Sequence, residues 1–315
     1  MTFKGGVTID PSKDLVLSYS SLELYHSCPR KFELYKVHPV DAPRDTSPAL
    51  SQGSAVGHGY AAHLMGKGEE QTRFETWLNY YPPLEDNVRT MAKAQVIVQA
   101  LIDTPMKPEN EDDPLDWELA YFNNQPTTEL SFCIRLTENM VYVGYLDAVL
   151  YSPSTGRYRP LELKTSSLQE QTLEVNFKNS AQGLAYALVL DTILGKPQET
   201  FAIQYRVAQV HRTKELQYRP TIHDFYFTKN LVDRLEWLIG LKMEVESIQN
   251  SLDLEMFPKR GSSCLAWNRP CQFYGICNLT NKRSSNIVAE PKDYQFYWDL
   301  EELIQQALEL TGEVG

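Results

Sequence analysis

No run of apolar residues in the 315-residue chain approaches the roughly 18–20 needed to cross a bilayer. The N-terminal MTFKGGVTIDPSKD lacks the apolar core of a secretory signal. Together these absences lead us to expect an intracellular, cytoplasmic protein with no membrane partner. A GxxxxGK[ST] phosphate loop is also missing, so the chain is not expected to be a helicase or to need ATP of its own. Neither helix-turn-helix nor zinc-finger spacing occurs, which leaves no base-reading module. Internal repeats and low-complexity tracts are absent. Cysteine is scarce, at five residues, and in an intracellular chain this argues for metal or redox chemistry rather than a disulfide framework.

Net positive charge is lacking too, the formal balance being −11. Residues 109–118 (ENEDDPLDWE) hold six acids and no base, and residues 290–315 hold seven acids against Lys292 alone. Setting both aside leaves the remainder at about +1, so a local basic groove is permitted without being required. Segment 103–118 reads as a solvated acidic loop.

What is present is a globular composition, 42% hydrophobic and 11% aromatic, long enough for one large domain or two small ones. Residues 18–36 predict two short helices or one broken helix, with Ser20 and Glu23 spaced as a capping box and Cys28 at the break before Pro29. Segment 38–54 reads as a loop, 55–66 and 84–102 as helices. From Glu129 the period changes to two: strands are predicted over 129–137, 140–151 and 157–165, with a turn at 152–156. A helix over 176–194 should stop at Gly195. Strands over 201–210 and 221–227, a helix over 229–250, a cysteine-rich loop over 258–285 and an amphipathic helix over 292–311 complete the reading.

The chemistry concentrates in GYLDAVLYSPSTGRYRPLELK (144–164). Glu162 and Lys164, two apart on a strand, emerge on one face. Folding the hairpin about Ser154 sets Asp147 opposite Leu161, within one residue of Glu162. Two carboxylates and a lysine so gathered suit metal-dependent phosphodiester hydrolysis. The acids hold Mg²⁺ or Mn²⁺, and the lysine orients the water or neutralises the transition state. Downstream, Gln182 and Tyr186 in QGLAY are four apart, a spacing that puts both on one helix face.

This order of GxxD, ExK and a helical QxxxY resembles the PD-(D/E)XK nuclease superfamily, and its RecB-like branch in particular. The resemblance implies an α/β fold with a mixed central sheet flanked by helices. It implies catalytic roles for Asp147, Glu162, Lys164, Gln182 and Tyr186, with the last two contacting DNA backbone or supporting the metal site. It also implies a helical histidine as metal ligand, for which GSAVGHGYAAHLMG offers His58, with His63 as the alternative.

Cys264, Cys271 and Cys277 are spaced C-x6-C-x5-C in CLAWNRPCQFYGIC, and Cys28 is available as a fourth thiolate. An N-terminal cysteine with a C-terminal triplet resembles the iron–sulfur nucleases of the AddB type and of CRISPR adaptation. In these a 4Fe–4S cluster ties the chain ends around the nuclease core. Zinc is the alternative occupant. Cys133 is read as a bystander.

The expected organisation is a single nuclease domain over 1–315. It comprises an iron–sulfur lobe (18–36 and 258–285), a catalytic core (129–228) and an acidic C-terminal helix within 286–315. The expected activity is that of a Mg²⁺- or Mn²⁺-dependent deoxyribonuclease, an exonuclease on single strands or ends, serving recombination, repair or replication. DNA is the expected partner, and a helicase or recombination protein would supply unwinding. Arg30, Lys31, Arg206, Arg212 and Lys214 are the candidate groove residues. The competing readings are a catalytically silent DNA-binding scaffold that keeps fold and cluster, and a zinc-stabilised interaction module.

Overall fold

In the computed structural model the chain divides into two compact units. The structure describes residues 5–40, 47–81, 86, 88–178, 180, 182–211, 219–266, 269–278 and 290–312. One unit comprises residues 1–45, 131–144 and 231–315; the other comprises 46–130 and 145–230.

In chain order the strands are β1 (Val7–Ile9), β2 (Leu15–Leu17), β3 (Glu118–Leu119), β4 (Tyr121–Phe122), β5 (Gln125–Pro126), β6 (Thr128–Thr137) and β7 (Met140–Ser152). They continue with β8 (Arg157–Ser166), β9 (Thr200–Gln209), β10 (Thr221–Asn230), β11 (Leu265–Ala266), β12 (Arg269–Pro270), β13 (Lys292–Tyr294) and β14 (Phe296–Asp299). The helices are α1 (Tyr19–Ser27), α2 (Pro29–Phe32), α3 (Pro48–Leu64), α4 (Glu69–Leu78) and α5 (Met91–Asp103). They are followed by α6 (Glu170–Lys178), α7 (Leu184–Leu194), α8 (Leu231–Asp253) and α9 (Leu300–Thr311).

The unit holding 46–130 and 145–230 is a mixed sheet with helices on both faces, as the α/β expectation requires. β7 pairs antiparallel with β8, β8 parallel with β9, and β9 antiparallel with β10. Side-chain alternation assigns the faces. Leu161, Ala148, Leu150, Ala208 and Ile222 join Ala55, Val56 and Tyr60 of α3 and Ala94, Ile97, Val98 and Leu101 of α5 in one buried cluster. Glu162 and Lys164 point to the other face, where α7 and α6 lie: Tyr186 of α7 reaches Glu162, and Phe177 of α6 stacks on Tyr205 at 4.7 Å. Gly59 lets α3 approach α4, because a Cβ there would lie 2.1 Å from Thr76 Oγ1.

The acidic segment is a loop with most residues exposed, but some of its acids are engaged inside the protein. Arg159, 1% exposed, donates to both Asp113 oxygens at 2.6 and 3.1 Å and to Glu109 Oε2 at 3.2 Å. Its guanidinium lies over the rings of Trp117 and Tyr226, 4.1 and 4.8 Å from their centroids. Asp116 accepts from Ser152 Oγ, Ser154 N and Ser154 Oγ at 2.7–2.9 Å, bracing the β7–β8 turn. Three of the six acids are thus engaged, Glu109 and Asp113 by one buried arginine and Asp116 by one turn, while Glu111, Asp112 and Glu118 are exposed.

In the unit of the chain ends, β1 pairs with β13, β2 with the first residues of β7, and β14 runs parallel to β6. The helix predicted over 292–311 therefore starts only at Leu300, behind an Asp299 N-cap. Its first eight residues are β13, Gln295 and β14, drawn into strands by partners far away in sequence. The N-terminal helix breaks at Cys28 with Pro29 at the first position of α2, as expected. Its cap is two residues earlier than predicted: Ser18, whose N–H donates to Ser21 Oγ at 2.5 Å, replaces the Ser20–Glu23 pair. Residues 48–54 belong to α3 rather than to a loop, and the predicted 176–194 helix is α6 and α7 with a break around Ser180. α7 does end on Gly195 in the left-handed conformation. No helix among the described residues is long and apolar enough to cross a membrane.

Candidate active site

The hairpin closes one residue later than predicted. Ala148 faces Leu161, so continuing the register sets Asp147 opposite Glu162 and on the same sheet face. Asp147 Oδ2 accepts a hydrogen bond from Leu163 N at 2.7 Å. Burial pushes the Asp147 carboxyl well above the usual carboxylate range, and the neighbouring Glu162 charge adds to the effect. Lys164 and the Leu163 amide oppose that shift without cancelling it.

Glu162 is 1% exposed. One oxygen is ion-paired with Lys164 Nζ and the other accepts from Tyr186 OH. Lys164 Nζ also donates to Gln182 Oε1 at 3.1 Å. Burial, followed by the Glu162 and Asp147 charges, drives the Tyr186 phenol well above its ordinary pKa, so it stays a donor. Gln182 does not ride on a helix. It sits in the turn before α7, with Gly183 as N-cap. Gly183 permits that turn to press on β9: a Cβ there would lie 2.1 Å from Ile203 Cδ1.

Five of the predicted residues are thus gathered on one sheet face. Their donor set is hard oxygen, and the crowding that raises Asp147 is what a divalent cation would relieve, so Asp147 and Glu162 fit Mg²⁺ or Mn²⁺. Sequence reasoning missed Glu129, whose charge also acts on Asp147 and whose φ of +51° is left-handed. Its only signal was an acid at the start of an alternating strand.

His58 is on α3, the helix packed against the opposite, Leu161-bearing face. Its Nδ1 lies 2.9 Å from Ser54 O, which can only accept, so the neutral ring keeps its lone pair on Nε2. His63 stacks on Tyr60 at 6.0 Å, and burial lowers its pKa. Among the described residues no group of three or more His, Cys, Asp and Glu side chains could hold a metal ion as it stands. Neither histidine is therefore brought into a ligand set with the two acids.

Arg206 is not a groove residue. It is 0% exposed, paired through Nη1 with both Asp224 oxygens at 2.8–2.9 Å, and bonded through Nη2 to the carbonyls of Leu101 and Thr104. Tying β9, β10 and the end of α5 together uses its charge internally. Arg30 and Lys31 are half-buried, Arg30 being ion-paired with Glu33. Arg212 and Lys214 lie outside the described residues.

None of the cysteines of the other unit forms a disulfide. Arg30 N donates to Pro258 O at 3.2 Å, Ser263 Oγ to Ser27 O, and Arg30 Nε to Cys277 O at 3.4 Å. These bonds draw the Cys28 break onto the 258–277 segment. Cys271 N donates to Cys264 O at 2.8 Å. Burial raises the Cys277 thiol, Lys259 and Arg30 oppose this, and the charges of Cys28 and Cys264 add to it, so these thiols sit within electrostatic reach. The segment pair offers four sulfur donors, the type a thiolate-bound cluster needs, but the structure does not gather three of them into a metal-holding group among the described residues. Cys133 is 0% exposed, with burial raising its thiol to about 12, as befits an inert core residue.

Comparison with known proteins adds the following. The family description of the PD-(D/E)XK nuclease superfamily matches residues 16–278. A comparison with curated proteins gives no match. A crystal structure from Eubacterium rectale, described provisionally as an exonuclease, is 13% identical over 80% of this chain and 87% of that one, with a TM-score of 0.45.

Proposed function

The chain belongs to the PD-(D/E)XK nuclease superfamily, and on that premise we propose that it is a Mg²⁺- or Mn²⁺-dependent DNA exonuclease of the RecB-like iron–sulfur branch. Its substrates are single strands or strand ends in recombination, repair or replication. The observation that carries the reading is the convergence of Asp147, Glu162 and Lys164 with Gln182 and Tyr186 on one sheet face.

Asp147 and Glu162 would hold the ion, which would supply a water of lowered pKa and charge to offset that on phosphate oxygens. The Leu163 N–H fixes the rotamer of Asp147, and the Tyr186 hydroxyl fixes that of Glu162. Lys164, steered by Gln182, places its ammonium where negative charge grows on the scissile phosphate. The sequence carries no GxxxxGK[ST] loop, so a helicase or recombination protein is proposed to supply unwinding.

The test uses end-labelled single-stranded, duplex and flap DNA with Mn²⁺. Lys164→Ala should lower kcat by about 10²–10³, the scale of one lost electrostatic group. Asp147→Ala should abolish cleavage, and the same assay on His58→Ala tests a third ligand. Full activity in folded Asp147→Ala or Lys164→Ala would sink the reading.

Cys28, Cys264, Cys271 and Cys277 are proposed to hold a 4Fe–4S cluster. Anaerobically purified protein should contain iron and absorb in the iron–sulfur band, and Cys271→Ser should lose both. Zinc without that absorbance would replace the assignment.

A further inference from the structure

Gln182 steers Lys164 from a turn that does little to hold itself. The turn leads into α7, whose N-cap is Gly183, a residue with no side chain to bond the first helical amides. Gln182 N donates to Ser180 Oγ at 3.3 Å, longer than the usual range. The place of Gln182 is therefore set by what the turn packs on. On β9 that is Ile203 and Tyr205: a Cβ at Gly183 would lie 2.1 Å from Ile203 Cδ1 and 3.3 Å from Tyr205 Oη.

Register puts Tyr205 where it can do this. β8 and β9 run parallel with Glu162 beside Tyr205, and β9 and β10 run antiparallel with Tyr205 beside Phe225. The three side chains thus share the sheet face that carries Lys164. The Tyr205 ring is buried. Phe177, in the last turn of α6, stacks on it with centroids 4.7 Å apart and planes at 15°, while Phe227 meets it edge-on at 5.7 Å and 65°. Phe225 in turn lies 6.3 Å from Phe177. Tyr205 therefore meets the end of α6 with its ring and reaches the start of α7 with its hydroxyl, one on each side of the break between the helices. A ring packed in this way has little freedom to change rotamer.

We propose that Tyr205 is a positioning residue for the reaction, fixing the turn between α6 and α7 and through it the Gln182 amide that holds the Lys164 ammonium. The inference rests on the nuclease reading above and deepens it. Tyr205 acts through Gln182 and not on the substrate. Gln182 Oε1 accepts from Lys164 Nζ at 3.1 Å, so a shift of the turn by about 1 Å breaks the bond. Misplacement on that scale costs a reaction up to about 10²-fold. The loss falls on kcat and spares KM, because the lysine is used where charge grows in the transition state.

The experiment measures the turn and the cleavage separately. Tyr205→Leu removes the stack, Tyr205→Phe keeps it, and Phe177→Leu removes it from the α6 side. Gln182→Ala is made alone and combined with each Leu variant, and circular dichroism checks folding. Cleavage of end-labelled single strands with Mn²⁺ gives kcat and KM. Hydrogen exchange in metal-free protein follows the first turn of α7, where Tyr186 N donates to Gly183 O at 3.2 Å. Where Tyr205→Leu does not fold, Phe177→Leu carries the same test.

Both Leu variants should lower kcat at least tenfold with KM changed less than twofold, and Tyr205→Phe should restore kcat to within threefold of wild type. With Gln182→Ala already present, either Leu change should cost less than a further twofold, because the group being positioned is gone. The Tyr186 amide should exchange at least tenfold faster in both Leu variants, with the β7 amides unchanged. Losses that multiply in the double variants would make Tyr205 a core residue only and overturn the proposal. Wild-type kcat and exchange in both Leu variants would overturn it too. If wild type cuts nothing while the Leu variants free the turn, the positioning of the turn stands and the nuclease reading fails; if wild type cuts and the Leu variants match it, the reverse holds.

Discussion

Two carboxylates sharing one buried face repel each other, and Asp147 holds its proton above the usual carboxylate range, through burial first and Glu162 second, with Lys164 opposing. The sign of the consequence is fixed. Folded protein keeps that proton at pH values where the unfolded chain, with a pKa of about 3.9, has lost it. In metal-free protein this residue should therefore cost stability as pH rises from about 4 upward. Urea denaturation across that range should show a slope that Asp147→Asn flattens and that Mg²⁺ reduces in the wild type. Tyr186→Phe should cost about 1–3 kcal/mol by leaving a Glu162 oxygen buried without its donor. At this scale the site was largely legible: a period of two places Glu162 and Lys164 together, and a short hairpin must bring Asp147 near. Arg206 was not legible, because a groove arginine and a buried one bonded to Asp224 and two carbonyls read alike until the fold assigns the face.

Elements were legible where their causes are local. The strands 128–137, 140–152 and 157–166 follow from alternation, and the stop at Gly195 follows from a residue that tolerates positive φ. The segment 292–299 was not, because its strands form on β1 and β6, far away in sequence. The break between α6 and α7 also escaped, because periodicity does not register a turn that packs on β9. That turn gives a sharp prediction. Gly183→Ala would drive a methyl against Ile203, an overpacking worth about 1–3 kcal/mol, and should displace Gln182. Thermal denaturation should show the loss, and kcat should fall more than KM rises, because Gln182 steers Lys164 rather than a remote part of the substrate.

For the whole molecule, the formal charge of −11 does not say which acids are engaged inside the protein. Asp113 and Glu109 are bound to Arg159, and Asp116 is bound to a turn. Burial works to raise the pKa of Asp113, but Arg159 more than offsets it and holds the carboxyl below its ordinary range. The pair therefore stabilises above pH about 4 and is lost as pH falls below that. Arg159→Leu should destabilise by about 3–5 kcal/mol at neutral pH, the usual penalty for orphaning a buried charge. Its denaturation midpoint should converge on that of the wild type in acid. Composition could count these acids but not say which of them face water.

Lys164 is bonded to Glu162 and Gln182, and so competes for a carboxylate that a divalent ion would take. The resting site thus carries its own placeholder cation, and loading it is an exchange rather than a simple addition. Removing the competitor should tighten the ion while disabling the chemistry. Isothermal titration of Lys164→Met with Mn²⁺ should show a lower Kd than the wild type in a protein that cuts about 10²–10³ more slowly.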